Sequence, residues 1–267
     1  MRNRSRLTTA LVFCFGSLVL PATCFGQFSD GADGSSGAGA PPSSPSPGRS
    51  EGLPHFGLAV GAGTLGATIQ AATAVTRRSN VRFAFNDFSY NATFNKDGVA
   101  YNGSLNLRSA EILYDQYLAG PIHISPGVMI YDGNKASGNA SVPAGSKFSL
   151  GDVDYYSQAG NPLTGTGAIS ARKVSPMVLI GFGNLLPRSK RHFSLNFDLG
   201  VVFQGSPSAT LGLAGGACTP TPAANCQNAA TSSSVQANVQ SEQTKINNSA
   251  SVFKYYPVIT LTFGYKF

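Results

Sequence analysis

The sequence contains no tryptophan, only three histidines and three methionines, and charged side chains at only 12% of its 267 positions. Soluble domains usually carry about 25% charged residues, so this surface is short of the groups that hold a protein in water. Outside the N-terminal region there is no run of about 18 apolar residues, which excludes a further transmembrane helix. A charge-poor exported chain without such a helix is either soluble or crosses a membrane as a closed barrel, because only a closed barrel pairs every strand.

The N-terminal region reads as an export signal. Residues 1–6 carry Arg2, Arg4 and Arg6, residues 7–21 are mostly apolar, and a small residue, Gly26, precedes a plausible cut. Cys24 raises a lipoprotein alternative, but Pro21-Ala22-Thr23 lacks the leucine that such signals carry three places upstream. Removing residues 1–26 leaves 19 − 3 = 16 basic against 12 acidic groups, a net charge of +4. That balance is too mild to argue for nucleic acid. Residues 27–53, rich in Gly, Ser and Pro, have nothing to bury and read as a flexible linker. Residues 54–267 are left for the folded domain.

What the chain does have is alternation. Phe193, Leu195, Phe197, Leu199, Val201 and Phe203 alternate with Ser194, Asn196, Asp198, Gly200, Val202 and Gln204. Ile259, Leu261, Phe263, Tyr265 and Phe267 alternate with Thr260, Thr262, Gly264 and Lys266. Ile122, Ile124, Val128 and Ile130 oppose His123, Ser125, Gly127 and Met129; Val81, Phe83 and Phe85 oppose Arg82, Ala84 and Asn86. A period of two is the pleat of a β-strand. A soluble sandwich would turn the bulky face inward. Here the opposite face carries Gly, Ser, Thr and Asn in place of the Lys and Glu that solvate a soluble surface. The bulky face therefore reads as a lipid-facing band edged by aromatics.

Eight segments result: 55–61, 64–75, 80–91, 99–117, 121–134, 168–185, 192–205 and 252–267. The first two read as a hairpin with a two-residue turn at Ala62-Gly63, pairing 60 with 65, 58 with 67 and 56 with 69; a single strand with a bulge, giving seven segments, would explain the change of phase as well. The fold class is all-β, an antiparallel transmembrane β-barrel of eight strands with one short helix, residues 233–249, before the last strand. Val235, Val239, Gln243 and Ile246 give that helix its spacing. Short turns near residues 76–80, 119–120 and 187–192 belong on the periplasmic side. The turns at 62 and 95–98 and the long segments 135–167 and 206–251 belong outside, and the helix with them.

The final fifteen residues, Phe253 to Phe267, resemble the C-terminal strand of bacterial outer-membrane proteins. The segments Gly63-Thr64-Leu65-Gly66, Asn86-Asp87-Phe88-Ser89-Tyr90 and Tyr131-Asp132-Gly133-Asn134-Lys135 resemble those of small OmpA/OmpW-like barrels of unassigned role. The resemblance implies an outer-membrane location and contact with its lipid. It also implies that Phe263, Tyr265 and Phe267 are read by the barrel-assembly machinery.

Chemistry-bearing residues are few. Cys218 and Cys226 lie in a polar segment of an exported chain and read as a loop disulfide; no His, Asp or Glu stands beside them to complete a metal site. Charged or polar groups on the lumen face are Arg82, Glu111, Asp115, His123, Asp198 and Lys266. An eight-stranded barrel is just wide enough for its side chains to fill it, and buried charges must pair. These residues are expected to plug the lumen, without cofactor or metal. The resulting expectation is a non-enzymatic barrel with a structural or surface-loop role. The alternatives are a narrow channel or carrier for small molecules and, last, a lipid-modifying enzyme using His123.

Overall fold

A computed structural model describes residues 56–96 and 98–267. The expected signal (1–26) and linker (27–53) lie outside the described residues. Strands are β1 (Gly57–Gly63), β2 (Gly66–Thr76), β3 (Ser79–Lys96), β4 (Val99–Ala119), β5 (Ile122–Asp132), β6 (Lys135–Ser141), β7 (Lys147–Leu150) and β8 (Val153–Ser157). They continue with β9 (Thr164–Ser170), β10 (Ser175–Phe182), β11 (Phe193–Val202), β12 (Ser208–Ala214), β13 (Gly216–Cys218), β14 (Gln227–Asn228) and β15 (Tyr256–Lys266). One α-helix, α1 (Ser233–Ala250), precedes β15.

Among the described residues, eight strands close into an antiparallel ring in the order β1–β2–β3–β4–β5–β10–β11–β15 and back to β1. The outward side chains of β11, Phe193, Leu195, Phe197 and Leu199, are 61, 62, 43 and 50% exposed. Across the pairing register, Phe193, Leu195, Phe197 and Leu199 stand beside Tyr265, Phe263, Leu261 and Ile259 of β15. Phe83 and Phe85 of β3 and Ile180 and Phe182 of β10 extend the band. A soluble monomer rarely exposes apolar patches beyond a few hundred square ångströms, whereas lipid accepts all of it. The chain is an antiparallel transmembrane β-barrel.

The eight expected segments correspond to the ring strands, with two corrections. The β1–β2 turn is at Thr64-Leu65, so Val60 pairs with Ile69 and Leu58 with Ala71. Leu65 therefore does not join the outer face. It turns into the lumen at 2% exposure, while Thr64 bonds the carbonyls of Ile259 and Pro257 and so ties the turn to β15. Segment 168–185 falls in two strands, β9 and β10, interrupted at residues 171–174.

The same kind of break explains the long connections. Along β4, residues 109–119 pair with β5 and residues 100–106 pair with β6, with Gly133-Asn134 between. β9 pairs with β6 while β10 pairs with β5; β12 pairs with β9 while β11 pairs with β10. One side of the wall thus continues past the ring, bending at residues 133–134, 171–174 and 203–207. Segments 135–167 and 206–251, expected as loops, are therefore mostly strand and helix. Small residues such as those of β6 (KASGNAS) and β9 (TGTGAIS) give no bulky alternation, and the pairing of β6 onto β4 and of β9 onto β6 decides their conformation.

Above the ring this extension carries a cap. A four-stranded sheet, β14–β13–β8–β7, packs with α1 around Val99, Val142, Phe148, Leu150, Leu163, Ala217, Val235 and Val239. Cys218 and Cys226 form the disulfide that closes the β13–β14 connection. Ser232 caps the helix, and Val235, Val239, Glu242, Ile246 and Ala250 form its buried stripe. Gln243, assigned to that stripe from the sequence, instead accepts the backbone N–H of Leu211 on the free edge of β12, at 3.3 Å. Asn247 accepts that of Ala209 at 2.7 Å. The helix thus covers an edge that would otherwise offer unpaired N–H groups to another chain. Asn247→Ala is expected to leave the buried Ala209 N–H without an acceptor, costing about 1–3 kcal/mol locally. Hydrogen exchange of the β12 amides measures it; unchanged protection would refute the capping role.

Candidate functional site: a closed lumen

The lumen is filled in layers. At the end holding Phe56 and Phe267, the connection 183–192 folds inward and places Leu185 and Leu186 against Ala59 and Ala72, with Leu186 fully buried. Gly57 makes room for them: a Cβ there would stand 2.7 Å from Leu186 Cδ2 and 3.0 Å from Leu185 Cδ2. Arg188 of the same connection donates to the Thr76 carbonyl and to Asn80 Oδ1, each at 2.9 Å.

The next layer is charged. Arg82, 1% exposed, donates from Nη1 to Asp198 Oδ2 at 2.6 Å and from Nη2 to Asp115 Oδ1 at 3.0 Å, and Gln70 Oε1 accepts at 3.2 Å. His123 Nε2 lies 3.0 Å from Asp198 Oδ1. Ser125 donates to Asp115 at 2.6 Å. The His123–Asp198 contact requires glycine at 181, where any Cβ would overlap His123 Nε2 and Asp198 Oδ1. Each carboxylate thus faces the guanidinium, and each has a second donor, which repays part of its desolvation.

Above lies an apolar layer of Leu65, Leu113, Met129, Met177, Leu179, Val202 and Val258, with Tyr256 against it. Charged and apolar layers thus follow one another along the inner face of the ring.

Neither a protein-family model nor a curated protein matches the chain. Solved structures do, among them two from Acinetobacter baumannii. The crystal structure of Acinetobacter baumannii CarO is 16% identical, with 80% of this chain and 98% of that chain covered at a TM-score of 0.49. That of Acinetobacter baumannii CarO2 is 13% identical, covering 79% and 98%, also at 0.49. At this level no residue role passes from them to this chain, and the finer OmpA/OmpW-like resemblance is not what they show.

Of the six lumen residues singled out from the sequence, the structure brings Arg82, Asp115, His123 and Asp198 together. Glu111 faces the lumen nearer the cap, held by Asn86 Nδ2 at 2.8 Å, and makes no ion pair among the described residues. Lys266 is a correction. Its ammonium donates to the carbonyls of Pro187 and Ser189 at 2.9 and 2.7 Å, because Lys266, the last residue of β15 and still paired with Gly57, meets the 183–192 connection there. Ser125, Gln70 and the leucine plug were missed. Leu185 and Leu186 lie in a connection, where no periodicity marks an inward side chain.

The aromatics named from the C-terminal strand, Phe263, Tyr265 and Phe267, all point outward. Phe267 packs on Phe56, ring centroids 5.9 Å apart, and its N–H donates to the Phe56 carbonyl at 3.1 Å. The two ends of the described chain meet there.

Proposed function

We propose that this chain is a non-enzymatic bacterial outer-membrane barrel with a closed lumen, whose role is to hold a folded cap of strands β6–β9 and β12–β14 and helix α1 above the outer leaflet. The carrying observation is the layered filling of the ring by Leu185 and Leu186, the Arg82–Asp115–Asp198–His123 cluster, and the Met129–Met177–Leu179 layer. All long connections leave the ring at the end opposite Phe267, as in outer-membrane barrels, where long loops face outward. The aromatic-rich last strand supports delivery through the barrel-assembly machinery.

The arrangement around His123 favours a structural role over lipid chemistry. Ser125 gives its hydroxyl proton to Asp115, not to His123, so no nucleophile–base pair is formed. A narrow carrier is the second reading. An apolar cavity of about 90 Å³ between rim and cap, lined by Leu105, Leu107, Ile169, Ile246, Phe253 and Tyr256, speaks for it.

Single-channel recording in planar bilayers tests the choice. The purified protein is expected to insert without resolvable openings, while glycine at both Leu185 and Leu186 still leaves the charged layer closed. Discrete openings of the wild type would overturn the closed-lumen reading.

A further inference from the structure

Where the barrel wall passes into the cap, two carboxylates are buried without an ion-pair partner among the described residues. Asp132, 4% exposed, is the last residue of β5 and stands directly opposite Ser109 of β4. Asn86 of β3 is opposite Ser109 on its other side, and Glu111, also 4% exposed, is the next residue of β4 on the same inward face. Neither acid has an ion pair among the described residues. Arg82, the guanidinium of this lumen face, is already engaged by Asp115 and Asp198.

Neutral donors satisfy only part of this group. Asn86 Nδ2 donates to Ser109 Oγ at 3.1 Å and to Glu111 Oε1 at 2.8 Å, and the Asn134 N–H donates to Asp132 Oδ1 at 2.9 Å. Asp132 Oδ2 and the side-chain oxygen of Asn134 are both buried without any partner. Every unsatisfied atom here is therefore an oxygen acceptor. A buried carboxylate without a counter-charge is costly, and each buried orphan acceptor calls for an occupant.

We propose that Asp132, Glu111 and Asn134 form a calcium-binding site at the rim of the barrel. Calcium takes six to eight oxygens in irregular geometry, mixing carboxylates, amide carbonyls and water, which suits two acids and an amide on a bend better than nitrogen- or sulfur-seeking metals. The ion would neutralise both acids and tie β4 and β5 to Asn134, the residue leading into β6. It sits at one of the three bends where wall becomes cap, beside the Gly133 N–H to Arg108 carbonyl bond of 2.8 Å. Bound calcium thereby fixes the angle of the cap on the barrel. The site does not depend on whether the lumen conducts.

The test uses the protein folded in detergent, stripped with EDTA and titrated with CaCl2 to about 5 mM by calorimetry, which passes the roughly 1 mM upper range of extracellular calcium modules. Saturable one-site binding is expected, with a rise in the temperature at which the folded gel band is lost. Asp132→Asn and Asn134→Ala should each weaken affinity about tenfold or more. Asp152→Asn, at an exposed aspartate of the cap paired with Lys245, should bind as wild type. Gel mobility shows whether each variant is folded, and Asn134→Ala, which removes no charge, decides if Asp132→Asn is not. No saturable binding by the wild type, or wild-type affinity in Asn134→Ala, overturns the site.

Discussion

Replacing Arg82 with alanine is expected to destabilise the folded barrel by about 3–5 kcal/mol, the range for removing one partner of a buried ion pair. The size follows from what is left behind. Asp115 and Asp198 are 1% exposed, and each loses its guanidinium donor, while among the described residues Ser125 remains on Asp115 and His123 on Asp198. Urea titration of the detergent-folded protein, read as the fraction of heat-modifiable gel band, measures the loss. The triple variant Arg82→Met, Asp115→Asn, Asp198→Asn should recover most of it, because replacing a whole buried ionic group by neutral side chains of similar size is often close to neutral. A loss below about 1 kcal/mol for Arg82→Ala, the value of an exposed pair, would mean that water reaches the cluster and that the lumen is open.

The second large effect concerns the outer face. Phe197→Arg, at the middle of the β11 band, is expected to cost about 2–4 kcal/mol in lipid, the midplane penalty for a cation on a barrel's lipid side. Asn91→Arg, on the outward face of β3 beyond the ring, should stay within about 0.5 kcal/mol, as an ordinary surface change does. The contrast rests on a switch along a single strand. Val81, Phe83 and Phe85 give way on the same face of β3 to Asp87, Ser89, Asn91 and Thr93, and Asp87 pairs with Arg108 at 2.7 Å where the change occurs. Equal costs at the two positions would move the membrane boundary; no cost at Phe197 would remove the membrane.

Much of this was legible in the order of residues. A strand with one face against acyl chains and one in a filled interior tends to alternate bulky with small or polar side chains, and β5, β11 and β15 do so over most of their length, with Met129, Val202 and Val258 as apolar members of the inner face. Arg82, Asp115, His123 and Asp198 could be assigned to one compartment because they occupy the opposite phase of that alternation. Their pairing could not, since it depends on which heights of β3, β4, β5 and β11 coincide. The phase argument misled at two places where strands end. Leu65 belongs to a turn whose exact position sets its direction, and Lys266 ends β15 where the 183–192 connection takes its ammonium. The acids of the rim were invisible as a group, since Glu111, Asp132 and Asn134 are joined only when β5 registers on β4.

Composition and period alone determined that the chain is a barrel and which phase of most strands faces lipid, because a membrane imposes a two-residue rhythm on each strand independently of its neighbours, while the β1–β2 hairpin that makes the count eight came from their pairing. The tertiary structure decided the rest: that a half-wall of strands continues above the ring, that a helix covers its free edge, and that leucines from a connection close one end. Those features rest on small residues and on contacts between segments far apart in the chain, so no local pattern carries them.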